Sequence, residues 1–214
     1  MAKRPVFMKK KGFPFYEKKD VEFVYSAGFS IKQKQKSFMN LHKSFLETYP
    51  GNKILEISTK SNTDLGVKLS AFIMKIYTSS RDFSVECAFQ GSKVFEGGGP
   101  YIDLLNKTSI EAKKDVRIRN SGRLEYFEYF NRKFVLEPKD YFYNWLYINA
   151  LSLNRELAVR ILEYNAFTDI EFNPNKSINC QAKAAAIFVG LHESDKLKIA
   201  LKSEKDFLNV VYEI

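Results

Sequence analysis

The chain is poor in the residues that usually advertise chemistry. Its 214 residues include two cysteines, Cys87 and Cys180, two histidines, His42 and His192, and a single tryptophan, Trp145. Cysteines and histidines this scattered lack the spacing of zinc ligands, so no metal is expected. A disulfide framework is excluded; one lone bridge remains open, though two reduced thiols suit the pattern better. No apolar run approaches the ~20 residues of a membrane span, so no membrane partner is expected. The basic N-terminus is followed by neither an apolar stretch nor a small-residue cleavage site, so no signal peptide and a cytoplasmic location are expected. Gly/Ser linkers, internal repeats and low-complexity tracts are also missing, and one domain is expected.

Aromatic residues are plentiful, with 19 Phe and 12 Tyr, and the hydrophobic fraction of 45% is enough for a sizeable core. The formal charge is +9 and unevenly placed. Residues 1–19 carry seven basic side chains (Lys3, Arg4, Lys9, Lys10, Lys11, Lys18, Lys19) against Glu17 alone. Pro5, Gly12 and Pro14 interrupt them, so 1–19 reads as a basic arm and not a helix. Such arms contact phosphates or are plain solvated termini.

The most informative stretch is 84–95, Ser-Val-Glu-Cys-Ala-Phe-Gln-Gly-Ser-Lys-Val-Phe. At about 100° per residue, Glu86, Gln90 and Lys93 share one helical face. Ser84 is a candidate N-cap, which sets Glu86 in the first turn, where the macrodipole favours its ionised form. A carboxylate, an amide and an ammonium in a row suit a polar substrate whose reaction builds positive charge. A surface helix with a dipole-favoured Glu and a solvated Lys has the same spacing.

Around this stretch the expected elements are a strand at 21–25, a helix at 30–49 stopped by Pro50-Gly51, and a strand at 53–58. Together 20–62 form an opening β-α-β unit. Thr63 or Asp64 caps a helix over 65–72, and 73–77 is a strand or its continuation. Gly97, Gly98 and Gly99 make a loop whose amides can approach a pyrophosphate, but no Gly-Lys-Ser/Thr follows, and a plain turn is the common alternative. Residues 109–119 suggest a charged surface helix, and 126–136 a hairpin around Asn131. An aromatic helix at 139–151 sends most rings to the core, with Trp145 as a possible stacking wall. A helix follows at 154–164, then a polar loop at 165–176 holding Asp169. A helix from about 177–179, rich in alanine and ended by Gly190, and a last helix from Ser203 to about Tyr212 complete the reading.

Several of these segments together resemble the NADAR (YbiA-like) family. They are Leu69-Ser70-Ala71-Phe72, then Ser84-Val85-Glu86-Cys87-Ala88-Phe89-Gln90 with Lys93 and Phe95, Asn144-Trp145, and Thr168-Asp169 with Ser177-Ile178-Asn179. Cys87 stands where that family usually has His, and Ala71 where it has Asn. The phrases Gln33-Lys34-Gln35-Lys36 and Ile170-Glu171-Phe172-Asn173-Pro174 are similar to the branch of antitoxins found beside DarT-type DNA ADP-ribosyltransferase toxins. The resemblance implies an α+β, mostly helical fold, with residues 63–214 as the catalytic core behind the N-terminal extension. It implies an enzyme that removes ADP-ribose from guanine bases in DNA, without a cofactor, with ADP-ribosylated, preferably single-stranded DNA, ADP-ribose and a DarT-type toxin as partners. The classical branch instead implies N-glycosidic cleavage of riboflavin-pathway intermediates; a non-catalytic ADP-ribose-binding or toxin-neutralising module is a third reading.

The residues suit cleavage of a ribose C1–nitrogen bond, which develops oxocarbenium character. Glu86 is the first candidate to stabilise that cation or activate water, Asp169 the second acidic residue, as partner base or ribose hydroxyl ligand, and Lys93 either an amine nucleophile or a phosphate ligand. Ser70, Ser84, Gln90 and Asn179 would orient hydroxyls or phosphates, Gly97 to Gly99 the pyrophosphate, and Trp145 the base or sugar.

Overall fold

The computed structural model describes residues 1–214 and has an α+β architecture with more helix than strand. No helix is long and apolar enough to cross a membrane. The basic segment expected as an arm is a β-hairpin. β1 (Ala2–Lys9) and β2 (Tyr16–Phe23) pair antiparallel from Ala2↔Phe23 to Lys9↔Tyr16. Its lysines hide the strand pattern, because long cationic side chains keep their heads in water while their neighbours Val6, Phe7 and Phe15 are buried. Pro5 is tolerated because β1 meets its second neighbour only at Phe7 and Met8, so Pro5's missing N–H costs no bond on that side.

α1 (Ile31–Thr48) starts where Ser30 Oγ accepts from the Gln33 amide, and it buries Ser37, Phe38, Leu41 and Phe45. It leads to β3 (Ile54–Glu56), which completes the expected β-α-β unit, but two strands lie between its ends. The sheet order is β2-β1-β9-β3, where β9 (Ala166–Thr168) comes from the segment expected to be loop. Three residues are too few to show a period of two. β9 runs parallel to β3, with Glu56 opposite Thr168, and antiparallel to β1. Under α1 a small core forms from Val6, Phe23, Phe38, Leu41, Phe45, Ala166 and Ile170.

The rest of the chain encloses the larger core. α2 (Asp64–Lys68), capped by Thr63, precedes the hairpin of β4 (Lys75–Tyr77) and β5 (Asp82–Ser84). Then come α3 (Val85–Gly91), β6 (Lys93–Phe95), a 3-10 turn (Ile102–Asn106), α4 (Ser109–Lys114) and α5 (Arg117–Asn120). β7 (Leu124–Tyr129) and β8 (Arg132–Phe134) form the expected hairpin, with Phe130 and Asn131 both at positive φ as a tight two-residue turn requires.

α6 (Tyr141–Leu153) and α8 (Gln181–Glu193) are buried around most of their circumference and form the centre. α7 (Arg155–Arg160), α9 (Leu197–Ala200) and α10 (Glu204–Tyr212) cover them, and Ser203 caps α10 as expected. Gly190 does not end α8, which continues to Glu193. A Cβ there would stand 2.1 Å from the Phe15 carbonyl oxygen and 2.6 Å from that of Lys10, so the glycine lets the N-terminal hairpin lie against the helix. Both cysteines are buried and unpaired.

Candidate active site

The site begins with the start of α3. Ser84 Oγ accepts from the Cys87 amide at 3.1 Å, and it lies 2.7 Å from Ser109 Oγ. Ser109 in turn donates to the Phe72 carbonyl at 2.7 Å. The Glu86 amide donates to Ala71 O at 2.9 Å. Ala71 N donates to Gln181 Oε1 at 2.8 Å, and Gln181 Nε2 donates to Ile57 O at 2.7 Å. The segment 69–72, the head of α3, the head of α8 and the end of β3 are thus fastened together.

α3 ends at Gly91, so Lys93 stands on β6 and not two turns along the same helix as its spacing suggested. The expected row forms by hydrogen bonds nonetheless. Lys93 Nζ donates to Gln90 Oε1 at 2.7 Å, and Gln90 Nε2 donates to Glu86 Oε1 at 2.9 Å. An ammonium only donates and a carboxylate only accepts, so this order fixes the orientation of the Gln90 amide. Glu86 Oε2 has no protein partner. Burial pushes the Lys93 amine down to about 8; the Glu86 charge opposes that shift and Lys113 adds to it. Lys93 also rides 4.9 Å above the Phe89 ring.

This row lines a cleft of about 1070 Å³. Ser70, Asp169 and Asn179 line it as well, so the structure brings together six expected residues: Ser70, Glu86, Gln90, Lys93, Asp169 and Asn179. Asn179 Oδ1 is sealed from solvent and receives no hydrogen bond from the protein.

Other expected residues fall elsewhere. Ser84 does not line the cleft; it caps α3 from behind. Gly97, Gly98 and Gly99 also lie outside it. The Gly97 and Gly98 amides donate to Ser121 O and Phe95 O, and a Cβ on Gly99 would meet Lys93 O at 2.3 Å. They are the tight turn that brings the chain back past β6, not a phosphate cradle. Trp145 is core, packed on Phe134 at 4.7 Å and on Tyr129 at 6.1 Å. The aromatic wall comes instead from Phe72, Phe89, Phe127, Tyr143 and Phe172. Burial, then the Glu86 charge, pushes the Tyr143 hydroxyl far up, so it stays a neutral donor.

Sequence reasoning missed most of the cations. Lys60, Lys113, Lys139 and Lys176 join Lys93, giving five lysines against Glu86, Glu137, Asp169 and Glu171. Lys113 Nζ lies 4.0 Å from Glu86 Oε1 and 4.9 Å from the centre of the Phe72 ring. The one available signal was Thr108-x-x-Glu111, a capping box that marks the start of α4 and so the rise to Lys113.

Behind Asp169 lies a second carboxyl. Glu56 is buried, with Oε2 accepting from Thr168 Oγ1 at 2.6 Å and Oε1 from the Ile170 amide at 2.9 Å. Thr168 Oγ1 therefore accepts from His42 Nε2, 2.8 Å away, which places the His42 proton on Nε2. Burial lowers His42 to about 4. Asp169 Oδ1 accepts from the Glu171 and Phe172 amides at 3.0 and 3.2 Å, yet the carboxyl is raised, first by burial and then by Glu56. Folding therefore takes up a proton at this site; its stabilising contribution is full at low pH and is lost as pH rises through the raised value. Asp169→Asn keeps the Oδ1 acceptor and removes that penalty. Its melting temperature should rise above wild type by several degrees more at pH 9 than at pH 5, which thermal unfolding at both pH values would read. An equal difference at the two pH values would contradict the assignment.

Fold and cleft define an α+β protein with one dominant polar cleft, floored by a carboxylate–amide–lysine row at the head of a short helix. The chain belongs to the NADAR family. The family model described as DarT1-associated NADAR antitoxin matches residues 2–214, so the relationship covers the N-terminal hairpin and α1 as well as the cleft. No curated protein matches the chain.

Proposed function

We propose that the chain is an N-glycosidic hydrolase that removes ADP-ribose from guanine bases in DNA and so undoes the product of a DarT-type ADP-ribosyltransferase. The observation that carries this reading is the Glu86–Gln90–Lys93 row on a cleft of about 1070 Å³, with its lysine held near the pH of the cell. That volume lies at the upper end for small-molecule pockets, generous for a small riboflavin precursor and suited to a ligand with two ring systems and a pyrophosphate. The surrounding lysines supply point charges for the phosphates.

In this mechanism neutral Lys93 Nζ adds to the ribose C1 as the C1–N bond breaks. The bonding pair leaves with guanine, which takes a proton from Asp169 in its neutral form. Glu86 stabilises the positive charge shared by C1 and the ring oxygen and accepts the proton that Nζ sheds. The ring opens, its oxygen taking that proton back, and an imine joins Nζ to C1. Water then adds to the carbon of the protonated imine and gives a proton to the ionised Asp169, the amine leaves neutral, and ADP-ribose departs. Ser70 and Asn179 hold the sugar hydroxyls.

The test compares two substrates at equal enzyme, with products read by mass spectrometry. Guanine-modified single-stranded DNA should release ADP-ribose at least about 100-fold faster than riboflavin-pathway intermediates are cleaved, a difference of about 2.7 kcal/mol in transition-state binding. Cleavage of the riboflavin intermediates with the DNA adduct intact would move the chain to the classical activity. Binding of ADP-ribose with no turnover of either substrate would make it a binding module.

A further inference from the structure

From Val24 to Leu46 the chain has four lysines and no acidic residue. The same segment exposes apolar side chains that a globular surface normally covers: Phe29 is 98% exposed, and Val24, Ile31 and Met39 each more than half. Three contacts make one face of them. Asn40 Nδ2 donates to Val24 O at 2.8 Å, which ties the start of the loop to α1. Ser37 Oγ holds both the amide and the carbonyl of Ser26, at 3.0 and 3.1 Å, so the loop carrying Tyr25 and Phe29 is pinned to α1. Lys34 pairs with Glu171 at 3.1 Å, with the Tyr25 side chain nearby, and Glu171 lines the cleft. The loop therefore abuts the wall of the cleft, while Lys32, Lys36 and Lys43 lie on the outer side of α1, opposite Lys34 and the buried stripe. Lys34 is spent on that contact, whereas Lys32, Lys36 and Lys43 are exposed and make no ion pair.

Exposed aromatic rings on a fixed loop, interleaved with unpaired cations, have the composition of a stacking surface for single-stranded nucleic acid. We propose that the face formed by residues 24–31 and the outer side of α1 is the track for a single DNA strand, with bases stacked on Phe29 and Tyr25 and phosphates on Lys32, Lys36 and Lys43, while the modified nucleotide enters the cleft. This rests on the proposed DNA substrate and adds where the unmodified flank of the strand lies. It places the strand contact on the loop and helix that follow the N-terminal hairpin, whose Lys9, Lys18 and Lys19 are held in ion pairs. A protein partner with an acidic rim is the competing occupant. Four lysines without an acidic residue favour the polyanion, whose route from the cleft runs over the loop before it reaches the lysine side of α1.

Two variants of the full chain test this, Phe29→Ala and the double substitution Lys32→Glu with Lys36→Glu, none of which touches the cleft. The first measurement needs no catalysis: fluorescence anisotropy with unmodified oligothymidylate across a salt series. Each variant should weaken binding about tenfold or more. The double variant should flatten the slope of log K against log salt by about 1.4, as two phosphate contacts are lost. The second measurement is kcat/KM on a modified oligonucleotide of about 20 nucleotides and on modified guanosine alone. The oligonucleotide should lose about tenfold in both variants and the nucleoside nothing. Unchanged affinity and unchanged salt slope would overturn the track, even with turnover intact, and leave the face to a protein partner. Loss of DNA binding in the variants of a protein without glycohydrolase activity would keep the track and overturn only the proposed reaction.

Discussion

Glu86→Gln should melt within a degree or two of wild type and lose about 10³-fold in turnover of modified DNA, within the 10²–10⁴-fold range of a positioned acid–base group. The fold should survive because the substituted amide still offers an oxygen to Gln90 Nε2, the one hydrogen bond that Glu86 makes to another side chain. The backbone bond from residue 86 to Ala71 O is also untouched. What disappears is the negative charge facing the developing cation. ADP-ribose affinity should change far less than turnover, which titration calorimetry on the variant reads. A well-folded Glu86→Gln with wild-type turnover would remove Glu86 from the reaction and shift the burden to Asp169.

The second large effect concerns Lys93. Borohydride added during turnover should trap a sugar adduct on wild-type protein, located by peptide mass at residue 93. The trapped fraction should climb with pH through about 8, because only the neutral amine attacks and burial holds its pKa there. Lys93→Arg should trap nothing and lose at least about 100-fold in turnover, since a guanidinium stays charged and forms no imine. The opposite pattern identifies a phosphate ligand. In that case Lys93→Arg keeps most activity, and wild-type activity declines as the ammonium deprotonates above 8.

The site was legible where its chemistry was local. Ser84, Glu86 and Gln90 sit within one short helix, and their spacing alone gives the cap and the row. The hairpin around Asn131 is legible for the same reason: aromatic and polar residues alternate on both sides of it over 126–136. Lys93 reached the right place by the wrong path, because α3 stops at Gly91 and a strand carries the lysine back to Gln90. Nothing in 165–176 announces a strand; β9 is one because it pairs with both β1 and β3, which are distant in sequence. The N-terminal strands were hidden by their lysines, whose charge outweighed Val6 and Phe7 in any reading by composition. For Trp145 and the glycine turn, residue type leaves a ligand role and a packing role open, and the structure gives both to packing. Lys60, Lys139 and Lys176 come to the cleft from three distant segments, information that only the tertiary fold holds.

The order of strands β2-β1-β9-β3 has a consequence for how the protein is made. A ribosome delivers β1, β2 and β3 within the first 56 residues, but the strand that joins them arrives only at Ala166. Until then β1 and β3 each present an open edge, Glu56 lacks Thr168 and the Ile170 amide, and the Asp169 side of the cleft has not been synthesised. Gly190, against which the opening hairpin rests, comes later still. The sheet therefore closes after most of the chain has emerged, a pairing of distant segments that folds slowly compared with local structure. A chain cut short by damaged message or a stalled ribosome would carry the Glu86 helix without the wall that completes its cleft. For a member of an antitoxin family, such fragments would count as protein made and as protection not delivered.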